Sequence, residues 1–243
     1  MQASELFNQP NTILLDGGMG TMLQAAGMKL GTRPEDLNIE NPELIRSIHA
    51  KYAAAGSRVV NANTFGASPH KLADSKYTLE EVITAGIANC KQAVAPYGAL
   101  VTLDVGPLGE LLEPSGTLAF EDAVAEYGRI VRAGVAAGAD ILYFETFTDL
   151  YEMKAALLAA KENSTLPIMA SMSFEANGRT FTGCTVESFA ATARGLGANA
   201  VGINCSLGPK EIFPMAKRLA EAVPGDFPVF VKPNAGLPRA DGS

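Results

Sequence analysis

The feature of this sequence that most constrains its fold is a regular alternation of short apolar runs with longer helical patterns. The runs are rich in Val, Ile, Leu and Phe with little polar alternation, which is typical of parallel strands covered on both faces. The predicted strands are 12–16, 58–63, 99–104, 140–145, 167–173, 199–204 and 227–232, and the predicted helices are 42–55, 79–95, 120–137, 149–163, 186–196 and 210–222. Seven predicted strands separated by six predicted helices, about seven βα units, predict an α/β fold of the TIM-type (β/α)8 barrel class.

The pattern predicts a single domain over residues 1–243, because no linker, low-complexity tract or charge run divides the chain. An eighth strand is missing, since the sequence stops soon after the seventh predicted strand. An incomplete barrel would expose two strand edges to solvent. We therefore expect the natural protein to continue beyond this chain.

Composition excludes several classes of partner. The net charge of −7 argues against nucleic acid or an anionic membrane as the main partner. The sequence has neither an apolar span of about 18 residues nor the basic-then-apolar start of a signal peptide. Its three cysteines are widely spaced and form no disulfide framework. These features predict a cytoplasmic protein.

A weak internal repeat predicts which residues share one level of the barrel. In each copy a helix ends at a glycine, and a strand then runs to a polar tip. The glycines are Gly56, Gly138 and Gly197; seven positions on lie Asn63, Glu145 and Asn204, and eight positions on lie Thr64, Thr146 and Cys205. Equal spacing predicts that these tips meet at the C-terminal mouth, where barrel enzymes have their active sites. A general barrel pattern would explain the glycines, but not a carboxylate and a thiol at the tips.

The end of the first predicted strand carries an acidic residue followed by glycines. Asp16 precedes Gly17, Gly18 and Gly20, and such glycines let the backbone approach a ligand closely. Their spacing fits neither a phosphate-binding loop nor a dinucleotide fingerprint. Because Asp16 also disfavours an anion, we expect a ligand with a cationic group.

Glu145 lies between Phe144 and Phe147 at a strand end. A buried carboxylate is costly unless it is paired. Two interpretations are open: Glu145 and Asp16 together bind a substrate ammonium, or Glu145 forms an ion pair with a barrel cation such as Lys232.

The residues alone leave the role of Cys205 open. A lone cysteine at a strand end is commonly a small buried apolar residue. A nucleophile needs a base nearby, and neither His49, in a helix, nor His70, in a loop, forms a Cys/His motif with it. A catalytic zinc needs about three protein ligands. Cys184 follows a strand and could reach the mouth, whereas Cys90 lies inside a predicted helix and should not.

Two residues at the end of the seventh predicted strand have alternative roles. Asn234 could bind a substrate or offer its amide oxygen to a metal, although ordinary turn chemistry explains it equally well. Lys232 at a strand end would also suit a Schiff-base lyase or aldolase.

Six segments, taken together and in order, resemble the homocysteine S-methyltransferase family, in particular the homocysteine-binding module of cobalamin-dependent methionine synthases. The segments are 16–21 (Asp-Gly-Gly-Met-Gly-Thr), 61–66 (Asn-Ala-Asn-Thr-Phe-Gly), 104–109 (Asp-Val-Gly-Pro-Leu-Gly), 145–147 (Glu-Thr-Phe), 202–205 (Gly-Ile-Asn-Cys) and 233–236 (Pro-Asn-Ala-Gly). The resemblance implies a zinc ion at the barrel mouth, bound by three cysteine thiolates of which Cys205 is the first. The other two form an adjacent pair on the eighth strand, and this chain contains no such pair.

The resemblance further implies zinc-dependent methyl transfer to the thiol of homocysteine, giving methionine. Asp16 and Glu145 are then expected to hold the substrate ammonium. The remaining expected substrate contacts are Gly17, Gly18, Ser173 and Asn204. Methylcobalamin is the expected methyl donor, with cobalamin and methyltetrahydrofolate bound on modules outside this chain. S-methylmethionine or betaine as donor, and a catalytically silent fragment that only binds, are the alternatives.

Overall fold

The computed structural model describes residues 3–9, 11–29 and 31–235. Within them the strands form one parallel sheet whose spatial order is the chain order. The strands are β1 (Val59–Asn61), β2 (Leu100–Val105), β3 (Ile141–Phe147), β4 (Ile168–Met172), β5 (Ala200–Asn204) and β6 (Val229–Lys232). A helix lies between each successive pair of strands, so the fold is a partial TIM-type barrel, as the sequence predicts.

The predicted helices are confirmed to within one residue at each end. The α-helices are α1 (Ala3–Leu6), α2 (Met19–Ala25), α3 (Leu37–Glu40), α4 (Pro42–Ala54), α5 (Leu79–Val94), α6 (Phe120–Ala136), α7 (Leu150–Asn163), α8 (Val186–Gly195) and α9 (Pro209–Glu221). Their starts follow from local capping. Asn41 accepts a hydrogen bond from the Leu44 N–H, and Thr78 forms a reciprocal capping box with Glu81.

The first predicted strand, 12–16, is wrong in extent. Only Leu15 pairs with a neighbour, bridging Val59 of β1 in parallel, and the Asp16 N–H donates to the Val59 carbonyl at 3.1 Å. The segment lies at the predicted place, but it has one neighbour among the described residues, and Leu14 remains 57% exposed. The described sheet therefore has six strands rather than the seven predicted.

The segment 27–41, which the sequence predicts to be irregular, contains two short helices. A 3-10 turn (Pro34–Asp36) runs directly into α3, and it brings Glu35 against the Gly66 N–H at 2.7 Å. Among the described residues, no helix is long and apolar enough to cross a membrane.

Polarity changes along the inner face of the sheet. The inner side chains near the N-terminal ends of the strands are apolar and pack together: Val59, Leu100, Ile141, Met169 and Ala200. Towards the C-terminal ends the inner residues are polar: Asp104, Glu145, Asn204 and Lys232. The fold thus concentrates charge at one end of an otherwise apolar interior, where parallel barrels have their active sites.

Candidate active site at the mouth of the barrel

A cavity of about 1460 Å³ opens between the first segment and β6 and reaches the C-terminal mouth. Seven of the residues predicted to form the site line it: Asp16, Gly17, Gly18, Glu145, Asn204, Cys205 and Asn234. Five of the six repeat tips also line it: Asn63, Glu145, Thr146, Asn204 and Cys205. Hydrogen bonds between Thr146 and Asn204 bring two of these tips together, and the other three line the same cavity.

The centre of the mouth is an ion cluster of two carboxylates and one ammonium. Lys232 Nζ lies 3.2 Å from Asp16 Oδ1 and 3.6 Å from Glu145 Oε2. The second oxygen of Asp16 accepts the Asn61 N–H at 2.8 Å. The ion pair with Lys232, which the sequence left as one interpretation of Glu145, is present in the structure. If all three groups are ionised, the cluster has a net charge of −1.

Burial and charge act against each other within this cluster. Burial raises the pKa of Asp16, and the charge of Lys232 and the Asn61 N–H oppose that rise. Burial alone would lower the pKa of Lys232, but the charges of Asp16 and Glu145 outweigh it and raise that pKa above its ordinary value. Lys232 therefore stays protonated at neutral pH. This disfavours the Schiff-base alternative, which requires a neutral amine.

The thiol of Cys205 is held by a network that joins the ends of β3 and β5. Asn204 Nδ2 donates to Thr146 Oγ1 at 2.7 Å and lies 3.3 Å from Cys205 Sγ. The Thr146 N–H donates to Asn204 Oδ1 at 3.0 Å, and the Thr146 hydroxyl lies 3.6 Å from Cys205 Sγ. We call these three residues the mouth arch, because they connect two strands that flank β4. Burial raises the pKa of the Cys205 thiol, which the hydrogen bond with Thr146 only partly offsets.

Two tips of the arch have left-handed backbone conformations. The φ angles are 66° at Thr146 and 58° at Cys205. Such angles are rare in residues other than glycine, and a β-branched residue there is a strained outlier. In β3 the strain coincides with a register shift between Phe144 and Phe147, which is the signature of a β-bulge. The bulge turns Thr146 towards Asn204.

Ser173 lies beneath the arch rather than in the cavity wall. Its hydroxyl donates to the Asn204 carbonyl at 2.8 Å, and its side chain is 4% exposed. It is not among the described residues that line the cavity. Its expected contact with a substrate carboxylate stays a prediction, and in this structure Ser173 supports the position of Asn204.

The glycines after Asp16 lie close to a tyrosine. The Tyr52 hydroxyl donates to the Gly18 carbonyl at 3.0 Å. A Cβ built on Gly17 would come within 2.8 Å of the Tyr52 ring. Only glycine fits at position 17 without a shift of Tyr52, and Gly17 and Gly18 both line the cavity.

Sequence reasoning missed Asp104 and the burial of His49. Asp104 lines the cavity, yet nothing in the apolar run of β2 indicated which face it would occupy. His49, which the sequence places in a helix without indicating its burial, is fully buried on α4, and both its ring nitrogens lack a hydrogen-bond partner among the described residues. Side chains alternate between the two faces of a strand, but in a strand that is buried on both faces the sequence does not show which residues face the barrel interior.

Comparison with known proteins supplies the family. A family model described as homocysteine S-methyltransferase matches residues 13–243. The chain belongs to the homocysteine S-methyltransferase family.

Relatives in this family include two mycobacterial proteins named methionine synthase. The one from Mycobacterium tuberculosis is 30% identical over 241 residues, covering 92% of this chain and 20% of that protein. The one from Mycobacterium leprae is 29% identical over 242 residues, with the same coverage of 92% and 20%. This homocysteine S-methyltransferase chain therefore spans about one fifth of their length.

Solved structures agree with the family. The metallated form of the Escherichia coli homocysteine methyltransferase MmuM superposes with a TM-score of 0.85 at 25% identity, covering 96% of this chain and 86% of that chain. The carboxyl transferase domain of Rhizobium etli pyruvate carboxylase gives a TM-score of 0.56 at 16% identity, covering 94% of this chain and 36% of that chain, and it shares the fold alone.

The zinc site that the homocysteine S-methyltransferase family implies is not complete within the described residues. No group of three or more His, Cys, Asp or Glu side chains there could hold a metal ion. Cys90 is fully buried on α5 with its sulfur 3.8 Å from the Val60 carbonyl. Cys184 lines a separate cavity beside α7. Of the three cysteines, only Cys205 lines the mouth cavity. One thiolate is too few for a zinc ion.

Proposed function

We propose that this chain binds homocysteine at the mouth of its barrel and presents the thiol for methyl transfer, giving methionine. The observation that carries the proposal is the placement of one thiol, Cys205, and two carboxylates, Asp16 and Glu145, around one cavity in a member of this family. We further propose that residues 1–243 form one homocysteine-binding domain, and that the protein is cytoplasmic.

The charge of the cluster supports the binding of an amino acid. Asp16 and Glu145 supply two negative charges against the single positive charge of Lys232. A substrate ammonium would bring the sum to zero. The backbone at Gly17 and Gly18 lines the same cavity, and we propose that its amides receive the substrate carboxylate. Asn204 orients the wall by holding Thr146 and Cys205 in place.

For the metal we propose that Cys205 is one ligand of a zinc ion whose other ligands come from outside the described residues. A bound zinc would ionise its thiol ligands at neutral pH while leaving them nucleophilic. Cys205 suits a ligand position because it lies at the rim and its thiol faces the cavity. Asn234 lines the same rim, and its amide oxygen is a further candidate ligand.

For the methyl donor we propose methylcobalamin, with cobalamin and methyltetrahydrofolate held on other modules. The support is the likeness to methionine synthases of which this chain spans one fifth. A methyltransferase that uses S-methylmethionine or betaine is the alternative.

The function is tested by product formation. The purified chain is incubated with homocysteine, zinc and, separately, methylcobalamin, S-methylmethionine or betaine, and methionine is measured by mass spectrometry. Homocysteine binding is measured in parallel by calorimetry. We expect saturable binding of homocysteine and methionine from one donor. Absence of homocysteine binding would overturn the proposal. Binding without methionine from any donor would support the silent-fragment alternative instead.

The metal is tested separately with Co²⁺, whose thiolate charge-transfer absorption scales with the number of bound thiolates. In an excess of Co²⁺ large enough to fill a weak, incomplete site, we expect the absorption of one thiolate per bound cobalt in the wild-type chain, lost in Cys205→Ser. Cys184→Ser and Cys90→Ser are the matched controls and should keep the band, since neither residue lines the mouth cavity. A band that survives Cys205→Ser would remove Cys205 from the metal site.

A further inference from the structure

Asp104 is a buried carboxyl group in the cavity wall that the roles assigned so far leave unused. It lies near the end of β2, is 6% exposed, and its Oδ1 has no hydrogen-bond partner among the described residues. A buried polar atom without a hydrogen-bond partner destabilises the folded protein. Native structures seldom keep such an atom without a reason, and here the atom belongs to a residue that faces a ligand cavity.

The other buried carboxyl groups show that this state is unusual. Glu152 accepts from the Leu108 N–H and the Tyr127 hydroxyl, each at 2.8 Å. Glu126 also has an unpartnered buried oxygen, but it lies on α6 and does not line the cavity. Among the described residues, Asp104 alone combines an unpartnered buried carboxyl oxygen with a place in the cavity wall.

The charges around Asp104 come from four directions. Glu145 of β3, Lys232 of β6, Asp16 of the first segment and Glu35 of the 3-10 turn all act on it. Burial, and then the charge of Glu145, hold the pKa of Asp104 well above its usual range. Lys232 opposes that rise, but its described ion pairs are with Asp16 and Glu145 rather than with Asp104.

We propose that Asp104 is a substrate-binding residue, whose free carboxyl oxygen receives the α-ammonium of an amino-acid thiol and so selects thiols that carry an amine. This inference rests on the proposed function. The ammonium has three N–H donors, and Lys232 already occupies one oxygen each of Asp16 and Glu145. Asp104 offers the ammonium a further acceptor oxygen beside Asp16 and Glu145, and it does so as a carboxylate, its proton passing to solvent as the ammonium binds.

The inference predicts a difference between two ligands that share a thiol and a carboxylate. Homocysteine carries the ammonium, and 4-mercaptobutyrate lacks it. For Asp104→Asn we expect the dissociation constant of homocysteine to rise about tenfold or more, because a hydrogen bond to a charged group is worth about 1.5–3 kcal/mol. We expect the dissociation constant of 4-mercaptobutyrate to stay the same. Glu152→Gln is the matched control: it alters a buried carboxyl outside the cavity and should change neither constant.

Calorimetry in buffers of different ionisation enthalpy measures the number of protons released on binding. A purely structural role of Asp104 would not change that number. Metal-free wild-type chain should release a proton on binding homocysteine and none on binding 4-mercaptobutyrate, and Asp104→Asn should abolish the difference. Asp104→Ser serves if the asparagine variant does not fold. If Asp104→Asn weakens the binding of both ligands equally, or leaves the affinity for homocysteine unchanged, the inference is overturned. If the wild type binds neither ligand, the proposed function itself fails.

Discussion

Lys232 Nζ lies 3.2 Å from Asp16 Oδ1, although 216 residues separate the two in the chain. Lys232 ends β6, at one edge of the described sheet, and Asp16 follows the segment at the other edge. Their ion pair therefore joins the two edges of the described sheet at the mouth, and within residues 3–235 no backbone pairing between those edges is described. Glu145, from the middle of the sheet, is the third member of this contact. The geometry of the candidate site depends on a link made by side chains.

Asp16→Asn should destabilise the fold. The side chains of Asp16 and Lys232 are 5% and 17% exposed, and removal of one partner from a buried ion pair costs about 3–5 kcal/mol. Glu145 still neutralises Lys232, so we expect a loss near or below the lower end of that range, measured by urea unfolding. Lys217→Met breaks the exposed pair with Glu221, and as a control it should change stability by less than about 0.5 kcal/mol. Equal effects of the two changes would contradict this account of the cluster.

The left-handed backbone at Thr146 reverses the usual order of alanine and glycine. Thr146→Ala and Thr146→Gly both remove the hydroxyl that contacts Asn204 and Cys205. The cost of losing it is therefore the same in both variants and cancels when their free energies of unfolding are compared. At a φ of 66°, glycine relieves strain of about 1–2 kcal/mol that alanine keeps. Part of this gain is offset by the greater freedom of glycine in the unfolded chain.

We therefore expect Thr146→Gly to have the higher free energy of unfolding of the two variants. A control comparison at Ala155, buried in α7 with ordinary helical backbone, should show the opposite order, because glycine there loses about 1 kcal/mol to alanine. A glycine variant at 146 that is less stable than the alanine variant would show that the left-handed conformation carries no strain.

Burial of His49 makes stability depend on pH. Burial lowers the pKa of His49 from 6.5 to about 4. Between these values the unfolded chain binds a proton that the folded protein excludes, so stability falls as pH falls through this window and levels off below it. From pH 7 to pH 5 the contribution of His49 amounts to a loss of about 2 kcal/mol.

His49→Leu should remove that part of the pH dependence. Urea unfolding at pH 7 and pH 5 measures it as the difference between wild type and variant. Carboxyl groups whose pKa is raised contribute slopes of opposite sign that cancel in this difference: Asp16, Glu35, Asp104 and Glu152. Ile45→Val, a buried apolar change on the same helix that removes no titratable group, is the control and should leave the pH dependence unchanged. If His49→Leu keeps the wild-type dependence of the free energy of unfolding on pH, His49 is not the group responsible for it.

Asn204 is the residue on which the mouth arch depends. Asn204→Ala would leave the Thr146 N–H without its acceptor and remove the bond from the Ser171 hydroxyl. Each buried polar group left unsatisfied costs about 1–3 kcal/mol, so we expect a loss of roughly 3 kcal/mol. Asn177→Ala, in an exposed turn, is the control and should lose about 1 kcal/mol or less. A small loss at Asn204 would mean that water replaces its hydrogen bonds.

The sequence predicted features that depend on local chemistry. The helices begin where capping residues such as Asn41 and Thr78 satisfy backbone N–H groups three positions on, and that signal is contained in a few neighbouring residues. The spacing from glycine to strand tip likewise predicted that Glu145 and Cys205 line one cavity, because each repeat turns the chain through the same unit.

Features that depend on distant pairing escaped prediction. Within the described part of the chain the first segment forms a single bridge, since strand length is decided by the neighbours that a strand finds rather than by its own residues. The inward position of Asp104 depends on register in a strand that is apolar on both faces. The sequence left open whether Glu145 pairs with Lys232, because those two side chains meet only after the sheet has curled.

The mouth arch has a consequence for chemical damage. Thr146 Oγ1 and Cys205 Sγ are 3.6 Å apart, so any reaction that enlarges the sulfur, such as oxidation or alkylation, must displace Thr146. Asn204 would move with it and uncover Ser173 at the end of β4. Modification of Cys205, after β5, should therefore disturb the end of β4. We expect faster amide hydrogen exchange near Ser173 in protein whose Cys205 is shown by mass spectrometry to be modified.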